Sequence, residues 1–312
     1  MPHRLTIAAV LLFWLASMSW LVSTKILPPL LAGTPPETHP TLPDAGEDFA
    51  PVAWRLEWHG RPIGWAVTKA ARRPDGTGEV QSFVQFEQLP VRDILGQLLG
   101  AAAPLLGPAF LGDEREISIA VASRSTYDPF DQLQSIHVKL DLPGMPGLLR
   151  VAGEVDDNQQ LNLTAHTGPL PDEPQGETLY SQQLALPREA LVSDAFSPST
   201  RLAGLRIGQR WTFPVYRPFP PDQPVQIMEA RVTGSETMEW NEEQVTVMVV
   251  EYREEAGTGL ASNRDAVARL WVRPSGEVLR QELSFSSLRC TFTRMKHEDT
   301  AEYAFRMSER MP

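Results

Sequence analysis

The sequence predicts a mainly β protein: a large bent antiparallel sheet or half-open barrel with one or two short helices, preceded by a single transmembrane helix. Three observations carry this. Short runs of period-two apolar alternation recur along the chain; glycine, proline, aspartate and asparagine separate them; and an uncharged apolar segment, Leu5 to Thr24, stands ahead of them all.

Leu5 to Thr24 would rise about 30 Å as a helix, the thickness of a hydrocarbon core. Arg4 precedes it and Lys25 follows it. That balance orients the N terminus inside and the rest of the chain outside. A cleaved signal peptide is the competing reading, with Ser17 and Ser19 as small residues. The length of the apolar run favours an uncleaved anchor over residues 1–27. Residues 28–48 form a proline-rich, stiff, extended spacer. Residues 49–312 are expected to be a β-rich extracytoplasmic domain, with two candidate halves at 49–190 and 205–312. The expected location is a membrane, single-pass, with the domain in the periplasm.

Within the domain, Trp54, Leu56 and Trp58 alternate with Arg55 and Glu57. His59-Gly60-Arg61-Pro62 reads as a turn, after which Ile63, Trp65 and Val67 resume the alternation. Pro74-Asp75-Gly76-Thr77-Gly78 is a second turn, since glycine supplies positive φ at little cost. Val80, Val84 and Phe86 mark a third strand. Further strands are predicted over 116–125, 134–142, 149–155, 160–165 and 178–186. Residues 186–205 read as a short helix or loop. Beyond a proline-rich bend at 214–224, strands are predicted over 226–240, 244–253, 267–273, 278–285 and 288–296, and a short helix over 298–307. About a dozen short strands with few helices indicate a bent sheet or barrel.

One segment departs from this pattern. Ile94 to Leu111 is uncharged but interrupted by Gly96, Gly100, Pro104, Gly107 and Pro108. It is too broken for a membrane span and too apolar for an exposed loop. It reads either as a broken helix filling the concave side of the sheet or as an apolar lid over a pocket. Ile94, Leu95, Leu98, Leu99, Leu105, Leu106 and Phe110 are its candidate ligand contacts. Trp54, Trp58, Trp65, Trp211 and Trp271 are candidate pocket aromatics, because large rings on a sheet face build either a core or the wall of an apolar cavity.

Composition narrows the function classes. A 312-residue chain with 42% hydrophobic and 21% charged residues has ample material for a core and is not disordered throughout. A net charge of −11 repels phosphate backbones, which argues against nucleic acid as a partner. The single cysteine, Cys290, allows no internal disulfide and no cysteine-rich zinc site. Its alternation with Leu288 and Phe292 reads as a buried, inert thiol. The histidines lack the spacing of a helical zinc motif, and no phosphate-cradling glycine loop or Gly-x-Ser-x-Gly elbow is present. No cofactor and no metal are therefore expected. Asp128 and Asp131, flanking Pro129-Phe130, are the only carboxylate pair worth weighing for acid–base chemistry. Turn chemistry explains them better, as it does Asp156-Asp157-Asn158.

His59-Gly60-Arg61-Pro62-Ile63-Gly64-Trp65 resembles an element of uncharacterised bacterial envelope proteins. Leu205-Arg206-Ile207-Gly208-Gln209-Arg210-Trp211 and the run from Arg269 to Leu279 have the same character. With the anchor, the pattern from Ala50 to Met307 is broadly similar to the periplasmic lipoprotein-carrier (LolA/LolB-like) half-barrels. That resemblance implies a half-barrel holding something apolar and carries no catalytic residues across. The first functional expectation is thus a non-enzymatic, membrane-tethered envelope protein that binds a lipid, another apolar ligand or a lipidated partner in its sheet. The alternative is a scaffold or interaction subunit of an envelope membrane complex. A hydrolase acting through Asp128 and Asp131 ranks third.

Overall fold

The computed structural model describes residues 2–22, 50–89, 117–156, 158–168, 176–185, 197–216, 225–254, 265–285 and 288–311. The apolar segment from Ile94 to Leu111, with all of its candidate contacts, lies outside these residues, as does the spacer over 28–48.

Alternating runs become strands in the order β1 (Val52–Trp58), β2 (Arg61–Arg72), β3 (Gly78–Leu89), β4 (Ile117–Tyr127), β5 (Leu133–Leu142), β6 (Met145–Val155), β7 (Gln160–Thr167) and β8 (Thr178–Ala185). They continue as β9 (Arg210–Tyr216), β10 (Val225–Trp240), β11 (Glu243–Glu254), β12 (Ala268–Val272), β13 (Val278–Phe285) and β14 (Leu288–Arg294). All fourteen form one antiparallel sheet ordered β8-β7-β6-β5-β4-β3-β2-β1-β14-β13-β12-β11-β10-β9. The chain starts in the middle and meanders outward to β8. It reappears at the opposite edge as β9 and meanders back to β14. The pairing of β1 with β14, in which Trp54 faces Arg294, joins the two arms. The predicted strands are thus present, and the sheet is open, with β8 and β9 as its edges. Pro214 sits in the edge strand β9, where a missing N–H interrupts little of the ladder.

Turn chemistry sets the two rims. Four hairpins share one design: a tight turn closed by two backbone bonds, with a left-handed residue in fourth place. Arg73 donates to the Thr77 carbonyl (2.8 Å), Asp128 to Gln132 (2.9 Å), Asp156 to Gln160 (2.9 Å) and Arg273 to Glu277 (2.8 Å). The left-handed residues are Gly76, Asp131, Gln159 and Gly276. Strand directions put all four on one rim, where β1 also begins. The turn His59–Gly60 is on the other rim; both residues have positive φ, 48° and 79°, the type I′ geometry that matches strand twist. Strand ends flanking 90–116, 169–175, 217–224 and 255–264 gather on that same rim.

Among the described residues two helices accompany the sheet. Helix α1 spans Pro2–Leu21. Its side chains are described from Leu12 onward, and Leu12, Phe13, Trp14 and Trp20 are all exposed. Among the described residues no helix is long and apolar enough to cross a membrane. Helix α2, His297–Arg310, is longer than predicted. Glu298 and Asp299 lie in its first turn and Arg310 in its last, which suits the helix dipole. Between Ser197 and Gln209 the chain is irregular, with a single bridge from Arg201 to Glu277.

The two faces of the sheet have different fates. On one, a continuous apolar cluster runs from Trp211 on β9 through Val232, Val250, Leu270, Phe292, Trp54 and Leu56 to Val121 on β4, with Val138 and Leu140 of β5 packed against it. On the other, α2 covers β1 to β4: Met307, Tyr303 and Met311 pack on Ala53, Trp65, Val67, Phe83 and Ala122. Central strands are therefore buried on both sides, which is why β2 reads Trp65-Ala66-Val67-Thr68 without interruption by charge. Away from α2 that second face is charged. Arg231, Glu251, Arg269 and Glu282 stand opposite one another on four successive strands, an alternation of sign that stabilises cross-strand neighbours.

Candidate ligand-binding face

Trp54, Trp58 and Trp211 belong to the large apolar cluster on one face. Trp54 and Trp211 are almost wholly enclosed, at 0% and 1% exposure. Tyr252 sits edge-on to both Trp211 and Phe213, with ring centroids 6.5 and 5.7 Å apart, and burial raises its phenol pKa. These rings line the β9–β11 end of the apolar face.

Trp65 and Trp271 lie on the opposite face. Trp65 packs between Phe83 (5.3 Å) and Tyr303 of α2 (5.2 Å). Trp271 donates its indole N–H to Glu236 and lies under the Arg280 guanidinium, 5.0 Å from the ring centroid. It borders a shallow depression of about 250 Å³ with Thr233, Ser235, Glu236, Glu251 and Arg269, beside the β10 irregularity at Val232/Gly234. A second depression of about 330 Å³ separates α2 from the sheet at Gln85, Ser118 and Arg310. Both are polar and open, so neither suits an apolar ligand.

The apolar face carries a feature that the aromatic pattern does not signal. Thr68 on β2 lies opposite both Val52 on β1 and Ser82 on β3, and Ser82 lies opposite Ser123 on β4. All three hydroxyl residues are buried, at 4%, 2% and 6% exposure. The Thr68 and Ser82 hydroxyls and the indole N–H of nearby Trp54 have no hydrogen-bond partner among the described residues. A buried polar group left so costs about 1–3 kcal/mol, and unpartnered groups are uncommon in folded proteins. Thr68 shares its register with Ala66 and Ala70, and Ser82 with Val84 and Phe86, so small hydroxyl residues occupy apolar positions.

Other candidate chemistry is taken up by structure. Asp128 Oδ1 accepts from the Phe130 and Gln132 amides, both at 2.8 Å, and Asp131 pairs with Arg72. Asp156 Oδ1 repeats the arrangement, accepting from Asn158 (2.9 Å) and Gln160 (3.0 Å). Cys290 is buried against the apolar face, and burial pushes its thiol up to about 12, far from a reactive thiolate. Among the described residues no group of His, Cys, Asp and Glu could hold a metal ion.

Three glutamates, Glu282 buried and Glu79 and Glu251 half-buried, each hold two arginines. Glu79 binds Arg124 (2.9 Å) and Arg73 (3.3 Å), Glu251 binds Arg253 (2.8 Å) and Arg269 (3.0 Å), and Glu282 lies near Arg289 (3.4 Å) and Arg280 (3.7 Å). At Glu251, burial works against ionisation, but hydrogen bonding and charge from Arg253 and Arg269 outweigh it and lower the pKa. Glu79 is lowered in the same way, with Arg124 and Gln81 outweighing burial. These clusters fasten strands on the charged face.

The sequence matches no family model and no curated protein. Among solved structures, the chain is similar to a β-barrel-like protein of the domain of unknown function DUF1849 from Brucella abortus. Identity is 7%, the match covers 79% of this chain and 95% of that one, and the TM-score is 0.43. A DUF1089 family protein from Pseudomonas aeruginosa is 15% identical over 70% of this chain and 88% of that one, with a TM-score of 0.34. The fold and face described above define a large open antiparallel β-sheet protein with one apolar and one charged face.

Proposed function

We propose that this protein binds an apolar ligand, a lipid or the acyl group of a lipidated partner, against the apolar face of its sheet, which curls around the ligand as a half-barrel. The carrying observation is the set of buried hydrogen-bonding groups, Trp54, Thr68 and Ser82, that have no partner among the described residues and lie within the large apolar cluster. A purely structural core gains nothing from such groups. An amphipathic ligand gives them a use.

The tether is part of the same proposal. Leu5 to Thr24 anchors the chain in a membrane, and the domain lies in the periplasm. Exposed Leu12, Phe13, Trp14 and Trp20 on α1 support this, since soluble surfaces rarely carry such a run. The spacer over 28–48 leads to β1, which begins at the rim of tight turns.

Native mass spectrometry of the full chain after gentle detergent extraction tests the binding reading. A co-purifying aliphatic species is expected. A lipid-free protein that also takes up no apolar dye would defeat it. N-terminal sequencing tests the anchor, and a mature start near Trp20 or Thr34 would sink it.

The open edges of the sheet, β8 and β9, favour a second reading, an interaction subunit of an envelope complex. It requires a membrane protein to co-purify reproducibly with the tagged chain.

A further inference from the structure

We propose that Trp54, Thr68 and Ser82 together clasp one neutral carbonyl oxygen, that of the ester or amide joining an acyl chain to its carrier. This rests on the apolar-ligand reading above and specifies which part of the ligand the face recognises.

Placement comes first. Val52 and Trp54 are two apart on β1 and point to the same face, Thr68 is opposite Val52, and Ser82 is opposite Thr68. Three adjacent strands thus present three polar groups at adjoining positions. Their exposures are 0%, 4% and 2%, and Nε1 of Trp54, Oγ1 of Thr68 and Oγ of Ser82 have no partner among the described residues. Around them stand the hydrocarbon side chains of Val52, Ala66, Val84 and Val121, with Ser123 opposite Ser82 on the next strand.

The chemistry selects the ligand atom. An indole N–H can only donate, and each hydroxyl can donate. The matching atom is therefore an acceptor with more than one lone pair, carried on an aliphatic body. A carbonyl oxygen fits.

Charge selects between carbonyl classes. A carboxylate buried here would need a cation beside it. Arg294, opposite Trp54, is directed elsewhere: its Nη1 donates to the Thr200 carbonyl at 3.1 Å, and Glu277 lies 3.9 Å from Nη2. Arg72, on the same strand as Thr68, is held by Asp131 and by the Gly76 carbonyl at 3.3 Å. Arg294 is engaged, and Arg72, whose Nε is buried without a partner among the described residues, lies four residues along β2 from Thr68, about 13 Å away. Among the described residues no free cation stands beside the three groups, so the face suits an ester or amide and disfavours a fatty acid anion.

The polar atoms do not reach the surface, so entry requires apolar side chains to part, and binding should be measured at equilibrium. The probes share one chain length: hexadecane, palmitate at pH 8, methyl palmitate, monopalmitin and an N-palmitoyl tripeptide. Each competes with an apolar dye on the full-length protein. Methyl palmitate is expected to bind about tenfold more tightly than hexadecane or palmitate, the gain of one hydrogen bond to a neutral acceptor. Thr68→Val and Ser82→Ala should remove that preference by weakening methyl palmitate binding, while hexadecane binding is retained or tightened and the protein stays folded.

Alkane binding with no preference for the ester, or a preference that survives both substitutions, overturns the clasp alone; buried water then serves the three groups. Binding of neither alkane nor ester overturns the clasp and the apolar-ligand reading together. Monopalmitin and the tripeptide separate the sources: stronger binding of the first assigns a glycerolipid ester, and of the second an acylated protein terminus.

Discussion

Gly64 passes so close to Gln85 that a β-carbon at position 64 would lie 1.9 Å from the Gln85 carbonyl oxygen. The contact crosses the β2–β3 pair at the point where β2 is irregular against β1, between Leu56 and Glu57. No side-chain rotation relieves it, because the obstructing atom is backbone.

Gly64→Ala should therefore force the central strands apart and destabilise the protein by more than about 2 kcal/mol, within the range of large single-site effects. Gly60→Ala is the control. Its β-carbon would meet nothing within 4 Å, but φ is 79°, so its cost is the left-handed penalty of about 1–2 kcal/mol. Urea unfolding of both variants checks the order. Equal losses would show that the close approach to Gln85 is relieved by small shifts.

The same irregularity separates what was legible in the sequence from what was not. Strand positions and turns were legible, because alternation and turn residues are local: Trp54, Leu56 and Trp58 do share a face, and Asp75-Gly76 does turn. Continuing the alternation through an ordinary two-residue hairpin would set Trp65 opposite Trp54. The extra residue in β2 sets Ala66 there instead and sends Trp65 to the face under α2. A one-residue shift reverses every side chain beyond it, and no local pattern announces it. The pairing of Trp54 with Arg294 was likewise hidden, since it depends on which distant strand closes the centre of the sheet. Ser82 shares its parity with Val80, Val84 and Phe86, but Thr68 falls on the register alternate to Ile63, Trp65 and Val67, so its place on the apolar face required the pairing.

Acid should weaken the charged face. The folded-state pKa of Glu251 is lowered from 4.5, despite burial, by Arg253 and Arg269. A depressed carboxyl stabilises the fold fully above its unfolded pKa, and that contribution fades as pH falls through the lower folded value. Glu79 acts in the same direction. Glu251→Gln should cost about 1 kcal/mol near pH 7, and the gap from the parent protein should narrow as pH falls below 4.5 toward the lower folded value. Thermal unfolding from pH 7 to pH 3 measures this; a gap that stays constant across the range would remove ionisation as its cause.

Asp128 distinguishes turn chemistry from catalysis. Asparagine retains a side-chain oxygen able to accept from the Phe130 and Gln132 amides. Asp128→Asn should then shift stability by less than about 0.5 kcal/mol, while Asp128→Ala loses both bonds and about 1 kcal/mol. A hydrolytic activity in the parent protein that disappears in the asparagine variant would restore the enzyme reading, since only a titrating carboxylate is lost.

Helix α2 offers a test of the division of labour between the two faces. Met307 is 4% exposed and packs on the cluster around Trp65 and Phe83, whereas Phe305, two residues earlier, is 64% exposed. Met307→Ala should cost about 2–4 kcal/mol by leaving a cavity beneath the helix, and Phe305→Ala should change little. The helix lies across the sheet from Trp54, Thr68 and Ser82. Below its own unfolding transition, Met307→Ala should therefore bind an apolar dye with unchanged affinity. A large loss of dye binding in that folded variant would place the apolar site under α2, on the face of Trp65.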